Sequence, residues 1–265
     1  NYDYPCQILY LPQNPNSSYS VQYLKEEYER IQKVIEKVAG REITDDDLKN
    51  SITIYNRNRE LLRELYRIKK DMPWLISINE AYVLMAIGGL IRREEHNEIL
   101  ESVLPMIEKR KARKQDRIKV VFEGGFCEQP PLDMLRTIGR SCYVVDDDLL
   151  IGMRYILEDI ETDNEPLHAM AEAYINKSSY SPVQHDLRKP KEKMLKERVK
   201  NANAEAVIIT AAKMCEPGLE EQVTYTQEFD KDNTPYFVSE FEENMSSFDH
   251  LEMQLETFVE NLIFD

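Results

Sequence analysis

The sequence VIITAAKMCEPG, residues 207–218, has a counterpart in VVFEGGFCEQPP, residues 120–131, and the pair indicates the fold. Each is a short apolar run that leads into a cysteine, Cys215 or Cys127, and then into a proline that can begin a helix. If the two runs are neighbouring strands of one parallel sheet, both thiols lie over the crevice where such sheets bind ligands. The repeat therefore predicts a ligand site at the carboxyl edge of a parallel sheet.

Apolar runs and helical patterns alternate along the rest of the carboxyl-terminal part. This alternation predicts a Rossmann-like α/β fold, a doubly wound parallel sheet of about four strands. The usual spatial order in such a unit is 2-1-3-4, which places strands one and three side by side. The predicted strands are residues 118–122, 142–145, 206–211 and 236–239, and the predicted helices are residues 132–139, 149–174, 191–201, 218–229 and 251–262.

The first 115 residues have a mostly helical pattern. Apolar residues at steps of three or four predict a helix over residues 18–39, and three acids after Thr44 favour the start of a second. Further helices are predicted over residues 78–88 and 93–113. The opening residues look like a strand already in progress, so we expect a piece of a longer polypeptide. The predicted regions are the end of an amino-terminal lobe, a helical interlobe region and an α/β lobe with a carboxyl-terminal helix: residues 1–15, 16–115 and 116–265.

Composition and charge exclude several classes of protein. The net charge of −15 argues against a protein that binds nucleic acid or anionic membranes, because both would repel it. No stretch reaches the ~18 to 20 consecutive apolar residues of a membrane span, and no signal-peptide pattern opens the chain. We therefore expect a cytoplasmic protein with no membrane or nucleic-acid partner.

The four cysteines are widely spaced, which makes a disulfide framework improbable in the cytoplasm. Cys6 and Cys142 fall inside predicted strands and are interpreted as small buried hydrophobes. Cys127 and Cys215 fall on loops at predicted helix N-termini, where the positive end of a helix favours the thiolate that binds iron or zinc. Two cysteines do not complete a four-ligand site, so plain core packing remains the alternative.

Acidic residues near the loop cysteines are the next candidates. Glu128 and Glu216 each directly follow a loop cysteine and are candidate proton-transfer groups, or else simple acids in a first helical turn. Three aspartates end the second predicted strand, at residues 146–148. They could hold a hydroxyl or a cation, although capping of the next helix by Asp147 or Asp148 is the favoured interpretation.

Several motifs together resemble one family. They are FCEQPP (residues 126–131), CYVVDDD (142–148), MCEP (214–217) and EMQLETFVE (252–260). These segments resemble the 2-hydroxyacyl-CoA dehydratase and benzoyl-CoA reductase family, and are most similar to the non-ATPase (B/C-type) subunits of ATP-dependent class I benzoyl-CoA reductases. The segment GREITDDDLKNSITIYNRNR, residues 40–59, resembles the interlobe helices of that family.

The resemblance implies an iron–sulfur cluster, of 4Fe-4S type, held between two Rossmann-like lobes. Cys127 and Cys215 match the second-lobe cysteines of that pattern, and the remaining ligands lie outside this chain segment. The implied activity is reduction of an aromatic acyl-CoA, with low-potential electrons from ATP-hydrolysing activator subunits and with a homologous second subunit as partner. The alternatives are a 2-hydroxyacyl-CoA dehydratase subunit and a non-catalytic subunit that docks a partner.

Overall fold

The computed structural model describes residues 6–125, 128–151, 157–181, 186–242 and 244–264. Its centre is one four-stranded parallel sheet with the spatial order β2-β1-β3-β4. Both the Rossmann-like α/β class and the 2-1-3-4 strand order predicted from the sequence are confirmed. The strands are β1 (Ile118–Glu123), β2 (Cys142–Asp147), β3 (Ala206–Ala212) and β4 (Tyr236–Phe241).

The strands form where the sequence is apolar without alternation, because both faces of the sheet are covered. Every residue of β2 and of β3 is buried. In the pairing of β1 with β3, Val120 lies opposite Ala206 and Glu123 lies opposite Ile209. The loops that follow β1 and β3 therefore leave the same edge of the sheet, side by side.

Helices cover both faces of the sheet. Leu135 and Leu255, from the first and the last of these helices, pack in the core on one face, while Leu195 and Phe229 pack on the other. None of the described helices is long and apolar enough to cross a membrane. The described helices of the carboxyl-terminal part are α5 (Leu132–Ser141), α6 (Pro166–Glu172), α7 (Lys191–Ala202), α8 (Glu216–Asp230) and α9 (Asp249–Phe264).

The amino-terminal part is helical, as predicted. The second helix begins with a capping box, in which Thr44 and Asp47 exchange side-chain and backbone hydrogen bonds, and the first ends at Gly40 in the left-handed conformation. Leu65 and Leu100 lie at the centre of a separate helical core. The division of the chain into three regions stays a prediction. The four helices are α1 (Ser20–Ala39), α2 (Asp45–Asp71), α3 (Ile78–Ile87) and α4 (Arg93–Glu108).

The predicted opening strand is wrong for the described residues 6–12, none of which is in a strand. This segment lies along α1, where the guanidinium of Arg30 donates a 3.1 Å hydrogen bond to the side chain of Gln7. A strand needs a neighbouring strand to satisfy its backbone, and the described residues provide none here. Cys6 is exposed, so its interpretation as a buried hydrophobe is also wrong.

The predicted continuous helix over residues 149–174 is also wrong. The described part contains a short 3₁₀ turn, Leu149–Ile151, and residues 157–165 are not helical. Pro166 is the first residue of helix α6. The helix continues into a π-helical turn, Ala173–Lys177. The sequence contained the signal, because proline favours the first position of a helix and disfavours its interior.

Candidate functional site at the carboxyl edge of the sheet

Cys215 lies between the end of β3 and the start of α8. Its backbone N–H donates to the carbonyl of Ala212, and its own carbonyl accepts from Leu219, each at 3.0 Å. A methyl group added at Gly218 would lie 3.3 Å from the Cys215 sulfur, so the thiol lies against the first turn of the helix. The residue is partly exposed. A thiol in this position faces the positive end of a helix and is accessible to a ligand.

Cys127 lies outside the described residues, and the loop that leads to it is described up to Gly125. Gly124 has a φ of +122°, and a methyl group there would lie 1.6 Å from the carbonyl oxygen of Thr210 in β3. Glycine is therefore required at position 124, because this loop starts in backbone contact with the neighbouring strand.

The aspartates at the end of β2 bind the adjacent loops. One oxygen of Asp148 accepts hydrogen bonds from the backbone N–H groups of Gly124 and Gly125, both at 3.0 Å. Asp147 accepts from the N–H of Leu149 at 3.1 Å, a local cap of the expected kind. Its carboxylate also accepts from the hydroxyl of Tyr66 at 2.7 Å. These contacts fix the backbone that leads into the predicted ligand site.

A buried arginine forms ion pairs with two carboxylates near the ends of β1 and β2. Arg198, in α7, donates to Glu123 at 2.6 Å and to Asp146 at 3.0 Å. Glu123 is 2% exposed and Asp146 is 7% exposed. Ionised carboxylates so poorly hydrated need a cation and hydrogen bonds. Arg198 therefore stabilises the carboxyl edge of the sheet electrostatically.

Two tyrosines and a second ion pair extend this buried network. The hydroxyl of Tyr180 donates to Glu123 at 2.6 Å, and the hydroxyl of Tyr225 donates to Glu221 at 2.7 Å. Lys191 forms a buried ion pair with Glu221. Burial, together with repulsion from the Glu123 carboxylate, raises the pKa of Tyr180 well above its usual value of 10. Tyr180 is therefore a neutral hydrogen-bond donor at physiological pH.

No sequence pattern predicts this network, because its members are far apart in the chain. Arg198 is 75 residues from Glu123 and 52 residues from Asp146. A weak signal was present, since Glu123 is a charged residue that directly follows three apolar residues of a strand in a doubly covered sheet. Such a residue requires a buried partner, although the sequence does not say which one.

The other described groups do not add metal ligands to this edge. Cys142 begins β2 and is therefore at the opposite edge, where burial raises the pKa of its thiol to about 12. Its interpretation as a small buried hydrophobe is confirmed. Within the described ranges, no group of three or more His, Cys, Asp or Glu side chains is arranged to hold a metal ion.

The two candidate proton-transfer residues differ in position. Glu216 is exposed in the first turn of α8, and Glu128 is half-buried after β1. An acid in a first turn is stabilised by the helix dipole whether or not it has a catalytic role. Their role in proton transfer stays a prediction, as do the metal-ligand roles of Cys127 and Cys215.

A cavity of about 640 Å³ lies where the helical part meets this edge. Its apolar wall includes Met85 and Ala86 near the end of α3, and Ile175 of the π-helical turn. Its polar wall includes Tyr180 and Lys189. Sites for organic ligands commonly combine mostly apolar walls of this volume with a few polar groups.

Comparison with known proteins gives consistent matches. The family described as 2-hydroxyglutaryl-CoA dehydratase, D-component, matches residues 1–262. A benzoyl-CoA reductase subunit of Thauera aromatica is 32% identical over 95% of this chain and 66% of its own length. The beta subunit of lactoyl-CoA dehydratase of Anaerotignum propionicum is 28% identical over 97% of this chain and 69% of its own. The beta subunit of (R)-2-hydroxyglutaryl-CoA dehydratase of Acidaminococcus fermentans is 22% identical over 97% and 69%. The chain thus spans about two thirds of the length of these relatives.

Proposed function

This chain belongs to the 2-hydroxyglutaryl-CoA dehydratase D-component family, and on that basis we propose that it is part of an enzyme subunit that converts an acyl-CoA thioester. More specifically, the chain is part of an iron–sulfur subunit of an ATP-dependent aromatic acyl-CoA reductase of the benzoyl-CoA type. The complex also includes a homologous second subunit, and an ATP-hydrolysing activator supplies low-potential electrons. A cytoplasmic location stays a prediction.

The observation that favours a reductase is the pattern of sequence identity. The chain is 32% identical to a benzoyl-CoA reductase subunit, against 28% and 22% for the two dehydratase subunits, over nearly the same share of this chain. Dehydration of a 2-hydroxyacyl-CoA is the second candidate, because several similar proteins carry that name. A non-catalytic docking subunit is the third, and it requires that the loop cysteines be inert.

The described residues fit part of an iron–sulfur site. Cys215 offers a partly exposed thiol at a helix N-terminus, which is the donor chemistry that such clusters use. A four-thiolate site needs further donors, and the described residues place a single thiol at this edge. The cluster proposal therefore depends on Cys127 and on ligands outside this chain segment.

This chain would contribute positioning and electrostatics to the reaction. The hydrogen bonds from Gly124 and Gly125 to Asp148 fix the loop after β1. The buried network around Arg198 holds the carboxyl edge rigid beneath it. A bound cluster would supply one-electron transfer, with a potential set by such surroundings. Glu128, which is half-buried, and Glu216, which is exposed, are the candidate proton donors.

Iron content tests the ligand assignment. The intact subunit, purified with its partner in the absence of oxygen, should lose iron in Cys127→Ala and in Cys215→Ala. Cys142→Ala is the matched control, because that thiol is buried at the opposite edge of the sheet and is protonated at neutral pH. Equal iron in all three variants and in the unmodified protein would refute the cluster assignment and favour a docking subunit.

The product separates the two enzymatic candidates. The complex is incubated with its activator, ATP and a strong reductant, and with either benzoyl-CoA or a 2-hydroxyacyl-CoA. A dearomatised thioester supports the reductase, whereas a 2,3-unsaturated acyl-CoA formed from the hydroxy substrate supports the dehydratase.

A further inference from the structure

The cavity beside the carboxyl edge is lined by a half-buried cation, by several polar side chains that include Asp186, and by apolar side chains. Lys189 reaches the cavity from the segment before α7. Its ammonium donates a 2.9 Å hydrogen bond to the hydroxyl of Ser178. Burial lowers the pKa of Lys189, although Asp186 opposes the shift. An ammonium in such surroundings gains from a further oxygen acceptor that displaces its remaining water.

The neighbouring charges do not neutralise this ammonium directly. Asp186, whose charge acts on Lys189, is itself paired with Arg188 at 3.0 Å. Among the ion pairs of the described residues, none includes Lys189. Arg93 also lines the cavity, but it donates to the amide oxygen of Asn58 at 3.0 Å. Lys189 is therefore the cation best placed to meet a ligand oxygen.

The apolar part of the lining favours an apolar group in the ligand. Met85, Ala86 and Ile175 present carbon atoms to the cavity, and Leu62 also lines it. A diphosphate would leave its oxygens against these side chains, at a large desolvation cost. An acyl group, by contrast, gains from the burial of its apolar surface. The cavity thus matches a ligand with an apolar end and one carbonyl or carboxylate oxygen.

The cavity adjoins the carboxyl edge of the sheet, since Leu150, which follows β2, also lines it. Tyr180 forms part of its wall, and the hydroxyl of this tyrosine is bound to Glu123, the last residue of β1. The Cys215 loop leaves the same edge of the sheet from the adjacent strand. Ligands of doubly wound sheets bind at this edge, near the switch point between strands one and three.

We propose that this cavity holds the acyl-thioester end of an acyl-CoA, with the acyl group against Met85 and Ala86 and the ammonium of Lys189 hydrogen-bonded to the thioester carbonyl oxygen. The inference rests on the proposed function, since it takes the acyl-CoA substrate class from there. It adds the location of the acyl group and a residue that binds the carbonyl. The nucleotide end of the coenzyme lies outside the cavity.

The test measures binding of two probes to the intact subunit in its complex, by titration calorimetry. One probe is benzoyl-CoA, and the other is S-benzoyl-N-acetylcysteamine, a thioester without phosphates. Lys189→Met should weaken binding of both by roughly tenfold or more, the loss expected for a hydrogen bond to a charged group. Lys189→Arg should recover part of the affinity. Ala86→Phe should occupy the space next to Met85 that the acyl group needs, and should weaken binding of both probes.

The matched control is Lys193→Met, which removes an exposed lysine four residues away. It should leave both dissociation constants within about twofold, as expected for exposed substitutions. Unchanged binding of the phosphate-free thioester in Lys189→Met overturns the inference. So does a loss confined to benzoyl-CoA, because Lys189 would then bind phosphate.

Iron content keeps this test separate from that of the proposed function. If Lys189→Met retains iron and its affinity is unchanged, the carbonyl assignment fails and the proposed function stands. If the unmodified complex binds neither thioester and holds no iron, both fail together. Thermal melting of the complex reports whether Lys189→Met and Ala86→Phe are folded, independently of the iron content.

Discussion

Replacement of Arg198 by methionine should destabilise the protein far more than any surface substitution of the same kind. The change keeps most of the side-chain volume but removes the cation between Glu123 and Asp146. Both carboxylates are almost fully buried, and the hydroxyl of Tyr180 loses the 2.9 Å hydrogen bond that it accepts from the guanidinium. Loss of one partner of a buried ion pair costs about 3–5 kcal/mol.

The chain contains a matched control for this substitution. Arg140 binds Glu252 through two hydrogen bonds, of 2.9 and 3.0 Å, and also joins two separate helices. Its side chain is 57% exposed, against 11% for Arg198. Pairs in solvent contribute roughly 0–1 kcal/mol. Arg140→Met therefore tests whether burial, rather than hydrogen-bond geometry, determines the loss of stability.

Urea denaturation and thermal melting of the two variants measure the difference. For a chain of this size, a loss of about 3–5 kcal/mol lowers Tm by roughly 6–20 °C, and the control should lower it by less than about 4 °C. If Arg198→Met loses no more stability than Arg140→Met, burial does not determine the contribution of the Arg198 ion pairs.

Three further outcomes follow from single residues. Gly124→Ala should cost more than about 2 kcal/mol, because its methyl group meets the Thr210 carbonyl, whereas Gly40→Ala, also at positive φ but with open space around it, should cost about 1 kcal/mol in urea denaturation. Burial lowers the pKa of His96, so its stabilising effect is complete above the unfolded pKa of about 6.5 and is lost as the pH falls through the folded value. His96→Gln should therefore flatten the decline in unfolding free energy between pH 7 and 5, and an unchanged slope would contradict this. Iodoacetamide at pH 8 should modify Cys142 about a thousandfold more slowly than a cysteine of the unfolded chain, since a pKa of about 12 leaves so little thiolate, and mass spectrometry of the alkylated peptides measures the rate.

The features that the sequence predicted correctly are the local ones. Four short, mostly apolar runs separated by helical patterns predict a parallel sheet, and the rules for crossover connections then predict the order 2-1-3-4. Gly40 specified the end of α1, and the acids after Thr44 specified the start of α2. The resemblance to the 2-hydroxyacyl-CoA dehydratase family is confirmed over nearly the whole chain.

The two mispredicted elements have different causes, one a distant partner and the other a local proline. Residues 6–12 have an apolar sequence that suits a strand. In the described part of the chain they lie beside helix α1, and no strand pairs with them. The segment before Pro166 has enough apolar residues for a helix, yet a proline that suits a first turn interrupts the pattern. The sequence correctly placed Cys215 on the loop after the third strand, at the carboxyl edge of the sheet, and its role as a ligand stays a prediction. It gave no indication of Arg198, because the partner of a buried carboxylate is a property of the fold.

The helical part also contacts the carboxyl edge of the sheet, at the end of β2. Lys69 of α2 forms a buried ion pair with Asp147, and Tyr66 donates to the same carboxylate. The Tyr66 hydroxyl also lies 3.4 Å from the sulfur of Met85, a residue of the apolar cavity wall. Apolar packing tolerates small shifts of a helix over a sheet, whereas a buried ion pair has to keep its geometry or leave a charge without its partner. We therefore expect the distance between α2 and β2, and with it the position of Met85, to be determined by the charge on Asp147 rather than by the shape of the core. Asp147→Asn retains the size of the side chain and should change thioester affinity through Met85 even though it touches no ligand, whereas an unchanged affinity together with a stability loss would assign Asp147 to folding alone.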